Sequence, residues 1–289
     1  MRWRGGRLSR NVIDVRGRGG RRAGGARIGG IGGLGLLAIV VIGFFFGVDL
    51  TPLLGAGGGG APSGYSTGGP VTAADEERGE FASTVLAFTE DVWAEEFPEQ
   101  LGRPYDPPEL VLFAGAVQSA CGGASAASGP FYCPADERAY LDTDFFVELE
   151  RRFGAPGDFA AAYVIAHEVA HHIQNELGIL QSAQRAKQGR SQAEQNAIQV
   201  RIELQADCLS GVWARHANER YDVLEPGDFE EALNAARSIG DDTLQRQAGR
   251  TVRPHTFTHG SAEQRQRWFA TGYETGDMNA CDTFAARTL

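Results

Sequence analysis

Asp158 to Gly178 reads DFAAAYVIAHEVAHHIQNELG. An acid opens this stretch, a glycine closes it, and no proline interrupts it, so it reads as one helix. Within it stands His167-Glu168-Val169-Ala170-His171, the pattern H-E-x-x-H. At 3.6 residues per turn, positions i and i+4 stack on one face, so His167 and His171 can reach a single ion. Glu168 points beside that face and can take a proton from a metal-activated water without binding the metal. Ala166, Val169, Ala170, Ile173 and Leu177 form the buried side. His172 lies about 100° round the helix and is not expected to be a ligand.

A hydrolytic zinc usually has three protein ligands and one open position, so a third donor is required. The best source is the helix expected from about Glu194 to His216, with its apolar stripe at Ile202, Ala206, Leu209 and Trp213. Glu203 and Asp207 are i and i+4 on its other face. Glu203 is expected to bind the metal. Asp207 is expected to accept the outer N–H of a ligating histidine and fix its tautomer. Asp207, His255 and His259 are the alternative third ligands. His259, just before the helix start at Ser261, and Tyr163, one turn before His167, are candidate donors to a tetrahedral oxyanion.

The chain has 289 residues and a formal net charge of -10. Residues 1–27 run against that sign, with nine arginines and one acid, Asp14. An acidic remainder repels phosphate and argues against a nucleic-acid partner. Ile31 to Val48, IGGLGLLAIVVIGFFFGV, carries no charge. With its apolar flank it is long enough to span a bilayer, and the arginines before it place the N-terminus in the cytoplasm. A cleaved signal peptide ending near Ala61 is the alternative. The expected layout is a basic cytoplasmic tail (1–27), a transmembrane helix (28–50), a Gly/Ser/Pro linker (51–74) and an extracytoplasmic domain (75–289).

Four cysteines suit an oxidising compartment and allow three pairings. Cys121–Cys133 with Cys208–Cys281 is preferred, because the first closes a short local loop. Helices are expected over 75–97, 143–152, 228–239 and 261–272. A strand is expected at 109–113, and a hairpin from 131–133 and 138–141. Residues 121–130 and the Gln/Ser-rich stretch after Gly178 read as loops.

Long blocks of the chain resemble a bacterial family, the membrane-anchored neutral zinc metallopeptidases. They are MRWRGGRLSRNV, LVLFAGAVQSACGGASAASGPFYCPAD, RRFGAPGDFAAAYVIAHEVAHHIQN, RIELQADCLSGVWA, LEPGDFEEALNAARSIGDD and FTHGSAEQRQRWF. The wider layout is similar to gluzincins, in which a Glu on a later helix completes the metal site and an Asp one turn on supports it. The resemblance implies an α+β, zincin-like domain, mainly helical with a small sheet. It also implies Zn²⁺ as cofactor and a peptide or protein as substrate, cleaved as by an endopeptidase. A membrane-tethered zinc scaffold without catalysis is the rival expectation, and a fourth protein ligand such as His255 or His259 would favour it.

Overall fold

The computed structural model describes residues 1–17, 66–67, 70–125 and 129–289. The chain divides into two compact units. One comprises Met1–Asn11, Glu80–Pro108 and Phe146–Leu289, the other Val12–Gly79 and Glu109–Phe145.

The second unit holds the strands. β1 (Val12–Asp14), β3 (Glu109–Phe113), β6 (Phe131–Cys133) and β7 (Arg138–Asp142) form a sheet of order β1-β3-β7-β6. β3 is parallel to both β1 and β7, and β6 is antiparallel to β7. β2 (Ser66–Thr67), β4 (Gly115–Ser119) and β5 (Gly122–Ser125) form a separate antiparallel sheet. Val15, Val111, Phe113, Val117, Cys133 and Tyr140 make this unit's core. The Cys121–Cys133 disulfide is formed.

The helices are α1 (Ala73–Leu101), α2 (Phe145–Arg151), α3 (Asp158–Glu176), α4 (Ile179–Lys187), α5 (Gln192–Tyr221), α6 (Asp228–Ser238), α7 (Asp241–Gln247) and α8 (Ala262–Thr275). All except the first turns of α1 and the start of α2 belong to the first unit. α1 continues through Pro98 rather than stopping before it, because a proline in the last turn gives up one backbone hydrogen bond and leaves the earlier turns intact. α5 and α8 open with complete capping boxes, Ser191 with Glu194 and Ser261 with Gln264. α6 does not: Gly227 is its N-cap, Asp228 faces the amino group of Met1, and Glu231 accepts the backbone N–H of Phe159.

α5 and α8 pack backbone to backbone. A Cβ added at Gly272 would lie 1.8 Å from the carbonyl oxygen of Cys208, and one at Gly211 would lie 2.1 Å from that of Phe269. Glycine at both positions lets the helices approach closely, and the Cys208–Cys281 disulfide ties α5 to the turn that follows α8. Phe159, Tyr163, Ile173, Leu204, Val212, Trp213 and Phe269 fill the core around this pair.

Two expectations are corrected. The fold contains two sheets rather than one small sheet, because 122–125 is strand and 12–14 adds an edge. The single-pass anchor, with a cytoplasmic N-terminus and an extracytoplasmic domain, also fails. No helix among the described residues is long and apolar enough to cross a membrane, and the expected span, 28–50, lies outside them. β1, which precedes that span, pairs with β3, which follows it, so the two cannot lie on opposite sides of a bilayer. The N-terminal arginines also have partners within the fold. Arg2 meets Asp222, Arg7 meets Glu90 and Asp91 at 2.9 and 2.6 Å, and Arg16 meets Asp14 at 2.7 Å.

Gly272→Ala is expected to force α5 and α8 apart. Overpacking of this kind costs about 1–3 kcal/mol. A fall in melting temperature of at least about 2 °C is therefore expected. An unchanged melting curve would contradict the close approach of the two helices.

Candidate metal centre

α3 carries His167, Glu168 and His171, and α5 carries Glu203 and Asp207. The imidazoles of His167 and His171 stand one turn apart with ring centroids 4.8 Å from each other. Glu203 Oε2 lies 3.2 Å from His167 Nε2 and 3.5 Å from His171 Nε2. Among the described residues, these three side chains form a group able to hold a metal ion, with no fourth His, Cys, Asp or Glu joining them. Two donors bound tetrahedrally at 2.0–2.1 Å from one zinc are about 3.3 Å apart. The two distances from Glu203 Oε2 to the histidines match that value.

The protons are also where a metal site needs them. Asp207 Oδ1 lies 2.9 Å from His167 Nδ1. An ionised carboxylate only accepts, so Nδ1 carries the hydrogen and Nε2 is left for a metal. For His171 the partner is an amide. Gln174 Nε2 donates to the carbonyl of Ile202 and to Gln205 Oε1 at 2.8 and 3.0 Å. Gln174 Oε1 therefore faces His171 Nδ1, at 2.8 Å, as an acceptor. Both Nε2 atoms thus face one carboxylate oxygen of Glu203. Such a cluster calls for a cation at its centre, a proton when no metal is bound, and the donor set fits zinc.

Glu203 is itself held. Gln199 Nε2 donates to Glu203 Oε1 at 2.7 Å, and Lys187 Nζ donates to Gln199 Oε1 at 2.5 Å. This leaves Oε2 for the histidines. Burial would raise the Glu203 carboxyl, but His171, His259 and His167 outweigh it and hold it well below the usual carboxylate range. Burial likewise opposes ionisation of Asp207, and Arg265 with His167 overcomes it. Glu168 is shifted the other way: burial raises it more than the nearby histidines lower it. Its raised proton affinity suits a group that must both take and return a proton.

Tyr163 is corrected as an oxyanion donor. Its side chain is fully buried, and its hydroxyl donates to Asp207 Oδ1 at 2.5 Å. It steadies the second carboxylate instead. His255 is exposed and is outside the metal-binding group. His259 sits in a loop gripped by Asp241, whose Oδ2 accepts the N–H groups of Thr258, His259 and Gly260 at 2.6, 2.8 and 3.1 Å. His259 Nδ1 lies 3.5 Å from Asp241 Oδ1. Burial lowers the pKa of this imidazole, and Glu203 and Asp241 more than offset it.

Sequence reasoning missed Arg265, Gln174, Gln199, Lys187 and Asp241. Arg265 had a signal: it falls on the buried stripe of α8 with Trp268, Phe269 and Gly272. A cation there requires a buried anion. Lys187 had none, because its helix read as a loop.

Burial would lower the pKa of His167, but Asp207 and Glu203 outweigh it and push it up to about 9. In metal-stripped protein this imidazole is therefore protonated at neutral pH, and zinc must displace the proton. The apparent zinc affinity is expected to rise roughly tenfold per pH unit from pH 6 to 8 and to level off above the His167 pKa. The same pairing stabilises the stripped chain fully below the ordinary value of 6.5, and that stability is lost as pH rises through about 9. Chelator competition at several pH values checks the first statement. A flat profile would contradict it.

No solved structure matches the chain. The uncharacterized protein YpfJ of Escherichia coli K12 is 45% identical over 292 residues, covering 98% of this chain and 99% of its own length. The uncharacterized protein Rv2575 of Mycobacterium tuberculosis is 50% identical over 195 residues, covering 64% of this chain and 65% of its own. Residues 1–284 match the family described as "Putative neutral zinc metallopeptidase", and the chain belongs to that family.

Proposed function

We propose that the chain is a zinc-dependent peptidase that hydrolyses peptide bonds within peptide or protein substrates. One observation carries this reading. His167 Nε2, His171 Nε2 and Glu203 Oε2 converge without a fourth His, Cys, Asp or Glu among the described residues. A closed structural zinc site would use four protein ligands, whereas a catalytic one leaves a position open.

In this reading His167, His171 and Glu203 hold the zinc. When bound, zinc supplies Lewis acidity to the attacking water and to the scissile carbonyl. The Glu168 carboxylate removes a proton from that water as it attacks, then delivers the proton to the leaving nitrogen. The raised pKa of Glu168 assists the second transfer. The His259 imidazole donates an N–H to the oxygen on which negative charge develops. Asp207 keeps the His167 ring in the tautomer that presents Nε2, and Gln174 does the same for His171.

Glu168→Gln is expected to retain one zinc per chain and to lose hydrolysis by several orders of magnitude. His171→Ala is expected to lose the zinc. A proteome-derived peptide library, digested with wild type and with Glu168→Gln, supplies the substrate and the comparison. Equal cleavage by both proteins would remove Glu168 as the base. Tightly held zinc in His171→Ala would remove the ligand set.

A further inference from the structure

Arg265 is a buried cation against Asp207 that the proposed chemistry does not use. It stands on α8 and is only 2% exposed. Its guanidinium makes a two-pronged contact with Asp207, Nε to Oδ2 and Nη2 to Oδ1, both at 2.8 Å. Nη2 also reaches the Tyr163 hydroxyl at 3.1 Å. The carboxylate of Asp207 is thus fixed in plane and rotation from two sides, with Oδ1 aimed at His167 Nδ1. A planar fork can do this; a lysine ammonium, a point charge on a flexible stem, cannot.

Resting on the zinc-site reading above, we infer that Arg265 is a positioning residue that sets metal affinity by locking Asp207 against His167. The argument has three parts. The first is geometric. Asp207 belongs to α5 and His167 to α3, and Arg265 on a third helix, α8, grips the carboxylate at their contact. The second is electrostatic. A buried carboxylate without a cation is costly and turns toward whatever donor it can reach. Arg265 meets the charge of Asp207 permanently through two hydrogen bonds and so keeps Oδ1 aimed at His167 Nδ1. The third is packing. α8 reaches this depth because Gly211 and Gly272 let it lie directly on α5. Arg265 then stands about two turns before Gly272 on the same buried stripe. His171 is backed instead by the neutral chain Gln174–Gln205–Cys281, in which Gln205 Nε2 donates to the Cys281 carbonyl at 3.1 Å.

The test is zinc affinity of the full chain by chelator competition, with folding checked by circular dichroism of the metal-free proteins. Arg265→Met is expected to bind zinc about ten- to a hundredfold more weakly than wild type, the usual scale for loss of support behind a ligating histidine. Arg265→Lys is expected to fall between the two. Asp207→Asn is expected to weaken binding similarly. The double variant Asp207→Asn/Arg265→Met, which removes both buried charges, is expected to be no weaker than the worse single variant, because the two residues act as one unit. A residue that only supported the fold would lower the melting temperature and leave zinc affinity of the folded protein alone. Wild-type affinity, within twofold, in folded Arg265→Met and Arg265→Lys would overturn the inference, as would losses that multiply in the double variant. If Arg265→Met does not fold, Arg265→Lys and the double variant decide the matter by the same criteria. A wild-type chain that binds no zinc would remove the zinc-site reading itself. Tight wild-type binding with insensitive Arg265 variants would remove only the role of Arg265.

Discussion

One carboxylate, that of Asp207, holds the centre of the helical unit together. It is fully buried and accepts from His167 on α3, from Tyr163 on the same helix and from Arg265 on α8, while itself belonging to α5. A buried ion pair of this kind gives little net stability over an apolar replacement, but breaking one half of it costs about 3–5 kcal/mol. The contact therefore acts more on arrangement than on total stability. The three helices pack in the one way that lets each donor reach Asp207, and that packing sets the face from which His167 and His171 project. The two glycines at the α5–α8 crossing serve the same end, since only a backbone-to-backbone approach brings Arg265 deep enough.

The residues of the candidate metal site were legible in the sequence because their spacing rests on local geometry. His167 and His171 are separated by one helical turn, and so are Glu203 and Asp207. A period of 3.6 fixes each pair without knowledge of the tertiary structure. Which helix faces which is set by non-local packing. That Glu203 and Asp207 address His167 from across the core followed from zinc needing a third donor, not from any pattern in the chain. Tyr163 shows where such reasoning fails. Its position one turn before His167 on α3 correctly placed it near the centre, but not the direction of its hydroxyl, which points to Asp207.

The N-terminal segment was misread because its charges were counted without their partners. Nine arginines before an apolar run resemble the flank of a membrane span. In the fold, Arg2 and Arg7 pair with acids more than eighty residues away, and β1 uses Val12 to Asp14 as a sheet edge. Three residues of strand and scattered long-range ion pairs leave no periodic trace. The short helix α4 was missed for a similar reason. Its apolar residues Ile179, Leu180 and Ala183 stand in a short Gln/Ser-rich stretch directly after Gly178, and that composition reads as a loop. Yet α4 carries Lys187, which through Gln199 fixes the outer oxygen of Glu203.

The two histidines are thus supported differently, and the difference has a chemical meaning. His167 leans on a carboxylate whose charge is balanced by an arginine, and His171 leans on an amide that ends in a backbone carbonyl. A carboxylate partner makes an imidazole a stronger electron donor than an amide partner does. Two carboxylate-backed histidines together with Glu203 would place three negative charges beside one divalent ion and reduce the Lewis acidity on which hydrolysis depends. With Arg265 offsetting Asp207 and with Gln174 neutral, Glu203 is the one uncompensated anion among the ligands and their direct supports. A divalent ion held by His167, His171 and Glu203 would keep a net positive charge, and the proton affinity of the half-buried Glu168 is raised by burial.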